Sequence, residues 1–178
     1  MLQSQRLNPF LKSPRNETSQ ALRIGRLVLT TISTVMNRCR MSEVFLDTSY
    51  AIALSVSNDS YHQRALELAQ TLQLHQTKIV TTDAILLEIG NALSRVKYRS
   101  AAVNLLHAIM QDPQVESIPI SSSLFQQGVD LFSKRLDKEW GLIDCISFVV
   151  MEDYGIINAL TADYHFEQAG FVALLRIE

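Results

Sequence analysis

The chain has 178 residues, 47% of them hydrophobic and 19% charged, with six Gly, four Pro and two Cys. That supplies one domain with a real core and excludes collagen-like or low-complexity chains, disulfide frameworks and cysteine-built zinc modules. The net charge of −2 hides an asymmetry: seven of the sixteen basic residues, but one of the eighteen acids, fall in residues 1–40. Residues 41–178 are acidic on balance, which opposes nonspecific nucleic-acid binding.

Residues 1–41 read as a basic extension, either a disordered tail or a mis-assigned start, ahead of a domain over 42–178. Its longest uncharged, mostly apolar run, 27–36, has ten residues, against the roughly 20 a membrane span needs. No signal-peptide order of charge, apolar run and cleavage site is clear. The sparse cysteines and lack of a span point to the cytoplasm.

From there the elements come in order. EVFLD (43–47) is a short β-rich run ending in an acid. Residues 59–76 carry apolar residues at helical spacing, with Asp59 or Ser60 as N-cap. KIVTT (78–82) is a β-branched strand. Residues 83–96 form a helix capped by Thr82 or Asp83, and 100–112 another, stopped by Pro113. VESIPI (115–120) is a strand, and a serine-capped helix covers 121–136. The run 142–153 is apolar on nearly every side, so it predicts a buried helix, ended by Gly155. IINALT (156–161) is a strand, 163–170 a short helix closed by Gly170, and FVALL (171–175) a last strand. Strands alternate with helices, which predicts an α/β fold: a mainly parallel sheet covered on both faces, with right-handed crossovers. In such sheets a site lies beyond the carboxyl ends of the strands.

Four acids fall where that rule points. Asp47 closes the first strand and Asp163 comes just after IINALT. Glu88 lies at the edge of its helix's apolar face, with Asn91 one turn on. Asp144 sits in the buried run, where an unpaired carboxylate is costly. Each has a plain structural reading as well: Asp47 and Asp163 as helix caps or turn residues, Glu88 as an exposed helix acid, Asp144 as a buried cap. Together they repel, since two carboxylates about 5 Å apart cost roughly 3 kcal/mol at an effective dielectric near 20. A cation makes such a cluster tolerable. Oxygen donors without His or Cys favour Mg²⁺ or Mn²⁺. Such an ion lowers the pKa of a bound water and stabilises charge on a phosphoryl oxygen, which points to phosphodiester hydrolysis. Rival acid sites fit worse. A haloacid-dehalogenase-type phosphatase needs a second Asp where Ser49 stands, and a metal-dependent adhesion site needs a Ser where Ala51 stands.

Four segments, FLDTSYAIAL, TDAILLEIGNAL, WGLIDCISFVVM and LTADYHFEQAGF, resemble in order and spacing the acidic segments of PIN domains, above all the VapC-type toxin ribonucleases of prokaryotic toxin–antitoxin systems. The resemblance covers about 43–176. It implies a three-layer, Rossmann-like PIN fold and a Mg²⁺- or Mn²⁺-dependent ribonuclease with Asp47, Glu88, Asp144 and Asp163 as the catalytic, metal-holding acids. Thr48, Ser49, Asn91, Ser147 and Thr161 match supporting positions. It also implies an RNA substrate, a cognate antitoxin, a homodimer and no membrane association. Ile143 departs from the pattern, standing where a hydroxyl residue is common. The mechanism needs no histidine. His62, His75 and His107 read as solvent-facing, and His165 is kept as a candidate by its closeness to Asp163. Two basic clusters, Arg95, Lys97 and Arg99, and Lys134, Arg135 and Lys138, are candidates for holding RNA. The helices over 59–76 and 83–111 are candidates for an antitoxin groove. The competing reading is a PIN-like module that binds RNA or protein without cleaving.

Overall fold

The computed structural model describes residues 43–177; the basic extension and Cys39 lie outside them. Five strands form one sheet: β1 (Glu43–Leu46), β2 (Lys78–Thr82), β3 (Val115–Ile118), β4 (Asn158–Leu160) and β5 (Val172–Ala173), in the order β3-β2-β1-β4-β5. All pairings are parallel, and Phe45 at the centre lies opposite Val80 on one side and Ala159 on the other. The chain winds outward from β1 through β2 and β3, then returns to β1's other side for β4 and β5. This reversal puts the switch point between β1 and β4, where doubly wound sheets hold their ligands.

Among the described residues seven helices flank the sheet: α1 (Thr48–Ser55), α2 (His62–His75), α3 (Asp83–Ala92), α4 (Val96–Gln111), α5 (Ser122–Lys134), α6 (Leu142–Tyr154) and α7 (Tyr164–Gln168). Val44, Phe45 and Leu46 are all buried. Successive strand residues face opposite ways, so both faces of β1 are covered, as a three-layer α/β fold requires. Among the described residues no helix is long and apolar enough to cross a membrane.

The buried helix is as the sequence implies: every residue from Cys145 to Met151 is buried. Helix α5 lies so close that a Cβ on Gly128 would stand 2.5 Å from Ile146 Cγ1. An aromatic chain locks the amino end of α6 to α7. The Trp140 and Phe148 rings meet edge to face at 5.0 Å, as do Phe148 and Phe166, and Phe166 stands 6.2 Å from Phe45. Trp140 Nε1 also donates to Gln168 Oε1 at 3.1 Å.

Some boundaries differ from expectation. Helix α1 is additional; its eight residues are too few to display a period, and it comes after β1 across a single residue. The second helix starts at His62 rather than near Ser60, because the Asp59 carboxylate accepts from Tyr61 N–H at 2.8 Å and forms a turn instead of a cap. The break between α3 and α4 falls at 93–95 rather than 97–99. There Arg99 Nε and Nη2 donate to Ser94 O at 3.0 and 2.6 Å, so the charged run VKYR joins the later helix. His62 does not face solvent: half-buried, its Nδ1 lies 2.7 Å from Ala53 O and ties α2 to α1. His75 and His107 are exposed.

Candidate metal centre at the carboxyl ends of β1 and β4

Asp47 leaves β1 and becomes the N-cap of α1. It is 6% exposed. Its Oδ2 accepts from Ser49 N–H at 3.2 Å, Ser49 Oγ at 2.7 Å and Thr161 Oγ1 at 2.7 Å. Its backbone N–H continues the β1–β4 ladder to Leu160 O at 3.3 Å. A single oxygen takes all three side-chain bonds, which fixes the carboxylate's rotation and leaves Oδ1 outside that network.

Thr161, fully buried, is the hinge between the two strand ends. Besides donating to Asp47, its Oγ1 accepts from Asp163 N–H at 2.9 Å. Ser49 Oγ lies 3.1 Å from it and accepts from Ala162 N–H at 2.9 Å. Asp163 in turn caps α7, its Oδ1 accepting from His165 N–H at 2.8 Å. The cap chemistry of Asp-Thr-Ser and Thr-Ala-Asp thus orients two acids beside one another.

Asp144 arrives from the other direction, at the third position of α6. Its Oδ2 accepts from Gly141 N–H at 2.8 Å, one arm of a capping box. Burial pushes its carboxyl above the ordinary carboxylate range; the Gly141 bond opposes this, and the negative charges of Asp163 and Asp47 add to the rise. Asp144, Asp163 and His165 form a tight group, one ligand atom of each lying within 4.8 Å of the others. His165 Nδ1 is 3.3 Å from Asp144 Oδ2 and 3.4 Å from Asp163 Oδ1. Neither contact has the alignment of a hydrogen bond, and both ring nitrogens are buried without a hydrogen-bond partner.

Asp47 and Glu88 are not members of that tight group. Asp47 is coupled to it by charge and through Thr161. Half-buried Glu88 accepts from Thr48 Oγ1 at 2.5 Å, which ties α3 to the residue after Asp47. Asn91 is exposed. Ser147 is fully buried one turn beyond Asp144, its hydroxyl without a partner. Among the described residues Asp47, Asp144 and Asp163 have no Lys or Arg within salt-bridge distance. Two adjacent carboxyls and an imidazole with unpartnered nitrogens fit a divalent cation.

Of the basic candidates, Arg135 is engaged, bonded to Asp137 Oδ1 at 2.9 Å and stacked 4.4 Å from the Trp140 ring; Lys134 is exposed and Lys138 half-buried in the segment leading into α6. Lys97 lies over its neighbour Tyr98, and Arg99 is bonded at the α3–α4 break.

Sequence reasoning undervalues His165. Its signal is present, a histidine two residues after a strand-end acid. Its proximity to Asp144 depends on how α6 packs against α7, which no local pattern encodes.

The PIN domain family model matches residues 44–172. The 23S rRNA-specific endonuclease VapC20 of Mycobacterium tuberculosis, in strains H37Rv and CDC 1551 / Oshkosh, is 30% identical over 129 residues, 72% of this chain and 95% of the relative. The crystal structure of VapC20, described as a sarcin–ricin-loop-cleaving toxin, superposes with a TM-score of 0.64 at 29% identity, covering 72% of this chain and 96% of that one. VapBC2 from Rickettsia felis, bound to a promoter DNA fragment, shares the fold with a TM-score of 0.54 at 15% identity, over 74% of this chain and 96% of that one. The chain belongs to the PIN domain family, and within it resembles the VapC-type endonucleases.

Proposed function

We propose that this protein is a divalent-metal-dependent endoribonuclease acting as the toxin of a type II toxin–antitoxin pair, its nuclease domain spanning residues 42–178. The observation that carries the reading is the group of Asp144, Asp163 and His165 beside Asp47 at the switch point of the sheet. Mg²⁺ or Mn²⁺ is the expected ion. Asp144 and Asp163 would hold it directly, and Asp47 and Glu88 would complete the acidic wall, directly or through water. Such an ion supplies Lewis acidity toward a phosphoryl oxygen and favours hydroxide at neutral pH.

The chain's own contribution is positional. Thr161 and Ser49 keep the Asp47 carboxylate fixed, and Thr48 anchors Glu88. Ser147 offers a hydroxyl one turn beyond Asp144, and Asn91 an amide one turn beyond Glu88. The Asp47 and Glu88 carboxylates are oriented before substrate arrives, so less reorganisation is needed at the moment of reaction. Lys134 and Lys138 supply counter-charge to the RNA backbone in an otherwise acidic domain. The specificity of VapC20 makes 23S rRNA the first substrate to test.

The partner reading is an antitoxin segment and a second copy of the chain. A groove of about 580 Å³ lined by Tyr50, Leu54, Leu72, Ile79, Ile109 and Val115 among others supports the first, being apolar and open where α2 and α4 approach. RNA cleavage by the full chain with Mg²⁺ or Mn²⁺, against EDTA and an Asp47→Asn variant, tests the enzyme reading. Cleavage that needs no metal, or binding without cleavage, defeats it.

A further inference from the structure

A quartet of acids alone offers a divalent cation only oxygen, yet the tightest group at this site contains a nitrogen. His165 Nδ1 stands 3.3 and 3.4 Å from one oxygen each of Asp144 and Asp163. Atoms at adjacent positions around an ion with bonds of about 2.1 Å stand about 3 Å apart. The nitrogen is therefore spaced from each oxygen like a neighbouring ligand of one centre, while a donor–acceptor pair would show the alignment these contacts lack. The ring is also held. Its own backbone N–H is bonded to Asp163 Oδ1 at 2.8 Å, the Tyr164 ring lies 4.4 Å from it, and its side chain is 16% exposed.

We infer that His165 Nδ1 joins Asp144 and Asp163 as a direct ligand of the divalent cation, and that this nitrogen biases the site toward Mn²⁺ over Mg²⁺. The inference rests on the metal-nuclease reading above and adds a ligand and a preference to it. Mg²⁺ takes hard oxygen donors and keeps its waters, whereas imidazole suits first-row transition ions. Coordination through Nδ1 places the proton on Nε2. The role is that of a ligand, so it moves no proton in the reaction.

The test is pulsed EPR of Mn²⁺ bound to the full chain, prepared with ordinary and with nitrogen-15 histidine, together with Mn²⁺ and Mg²⁺ titrations of the wild type and His165→Gln. The expected result is a nitrogen coupling that changes with the isotope in the wild type, a measurement that depends on no variant. It is lost in folded His165→Gln, whose preference for Mn²⁺ over Mg²⁺ falls about tenfold. Mn²⁺ bound without isotope-sensitive coupling, or coupling that survives in His165→Gln, overturns the inference and leaves the nuclease reading standing. No uptake of either ion defeats both.

Discussion

The two ends of the sheet treat acidic side chains in opposite ways. At the amino ends of β3, β2 and β1, Lys78 lies 2.7 Å from Glu116 and 3.3 Å from Glu43, and Tyr154 OH donates to Glu116 at 3.2 Å. The lysine bond holds the Glu116 carboxyl below its ordinary range and lifts the Lys78 ammonium above its own. At the carboxyl ends, Asp47, Asp144 and Asp163 are surrounded by hydroxyls, backbone N–H groups and one imidazole, and burial lifts the Asp144 carboxyl instead. The first end is a partly exposed network in which both carboxylates share an ammonium partner, the kind a fold can carry anywhere on its surface. The second keeps charge uncompensated in a half-buried place, which folding alone does not favour. That difference supports placing the proposed metal site at the carboxyl end.

The largest effect comes from removing charge at the uncompensated end. Asp47→Asn or Asp144→Asn lowers RNA cleavage by on the order of 100-fold or more while the protein still folds, and EDTA does the same to the wild type. A gel-based assay on 23S rRNA with circular dichroism alongside checks both halves; full activity in either variant breaks the comparison.

Next comes the hinge. Thr161→Val removes one of the three bonds on Asp47 Oδ2 and the acceptor of Asp163 N–H. It costs about 1–3 kcal/mol in denaturant unfolding and roughly 10–100-fold in cleavage. A loss of stability without loss of cleavage assigns Thr161 to folding alone.

A smaller effect has the opposite sign. With metal removed, Asp144→Asn melts a few degrees above the wild type at neutral pH. The folded-state carboxyl is raised, so the wild type gains stability below the ordinary carboxylate value and loses it as pH rises through the elevated one. The advantage of the variant therefore grows from acid to neutral pH. A thermal melt series across that window checks it, and a variant less stable than the wild type at every pH contradicts it.

The smallest change belongs to the other end. Lys78→Met shifts the melting temperature by no more than about 2 °C, the shift fades at high salt, and cleavage is unchanged. A large loss of activity there erases the distinction between the two ends.

Asp47, Asp144 and Asp163 were legible in the sequence because each obeys a local rule. Two stand at strand ends, and one interrupts a run too apolar to lie outside. The same local rules hid how much they share. Asp47 and Asp163 are also the N-caps of α1 and α7, and Asp144 is the capping-box acid of α6, so the structural role and the proposed chemical role fall on the same side chains. Helix α1 escaped for want of length. His165 escaped because its meeting with Asp144 is set by the Trp140–Phe148–Phe166 packing, across residues that no single window spans. The helical spacing puts Glu88 at the edge of its helix's apolar face, but its bond to Thr48 depends on α3 lying against α1, a tertiary fact.

The central claim is that the acids at the carboxyl ends are held together for a divalent cation. Calorimetric titration of Mn²⁺ into the metal-free full chain tests it most directly. Saturable uptake that Asp144→Asn abolishes and Lys78→Met leaves intact is the expected result. Uptake unchanged in Asp144→Asn, or no heat in the wild type, contradicts it.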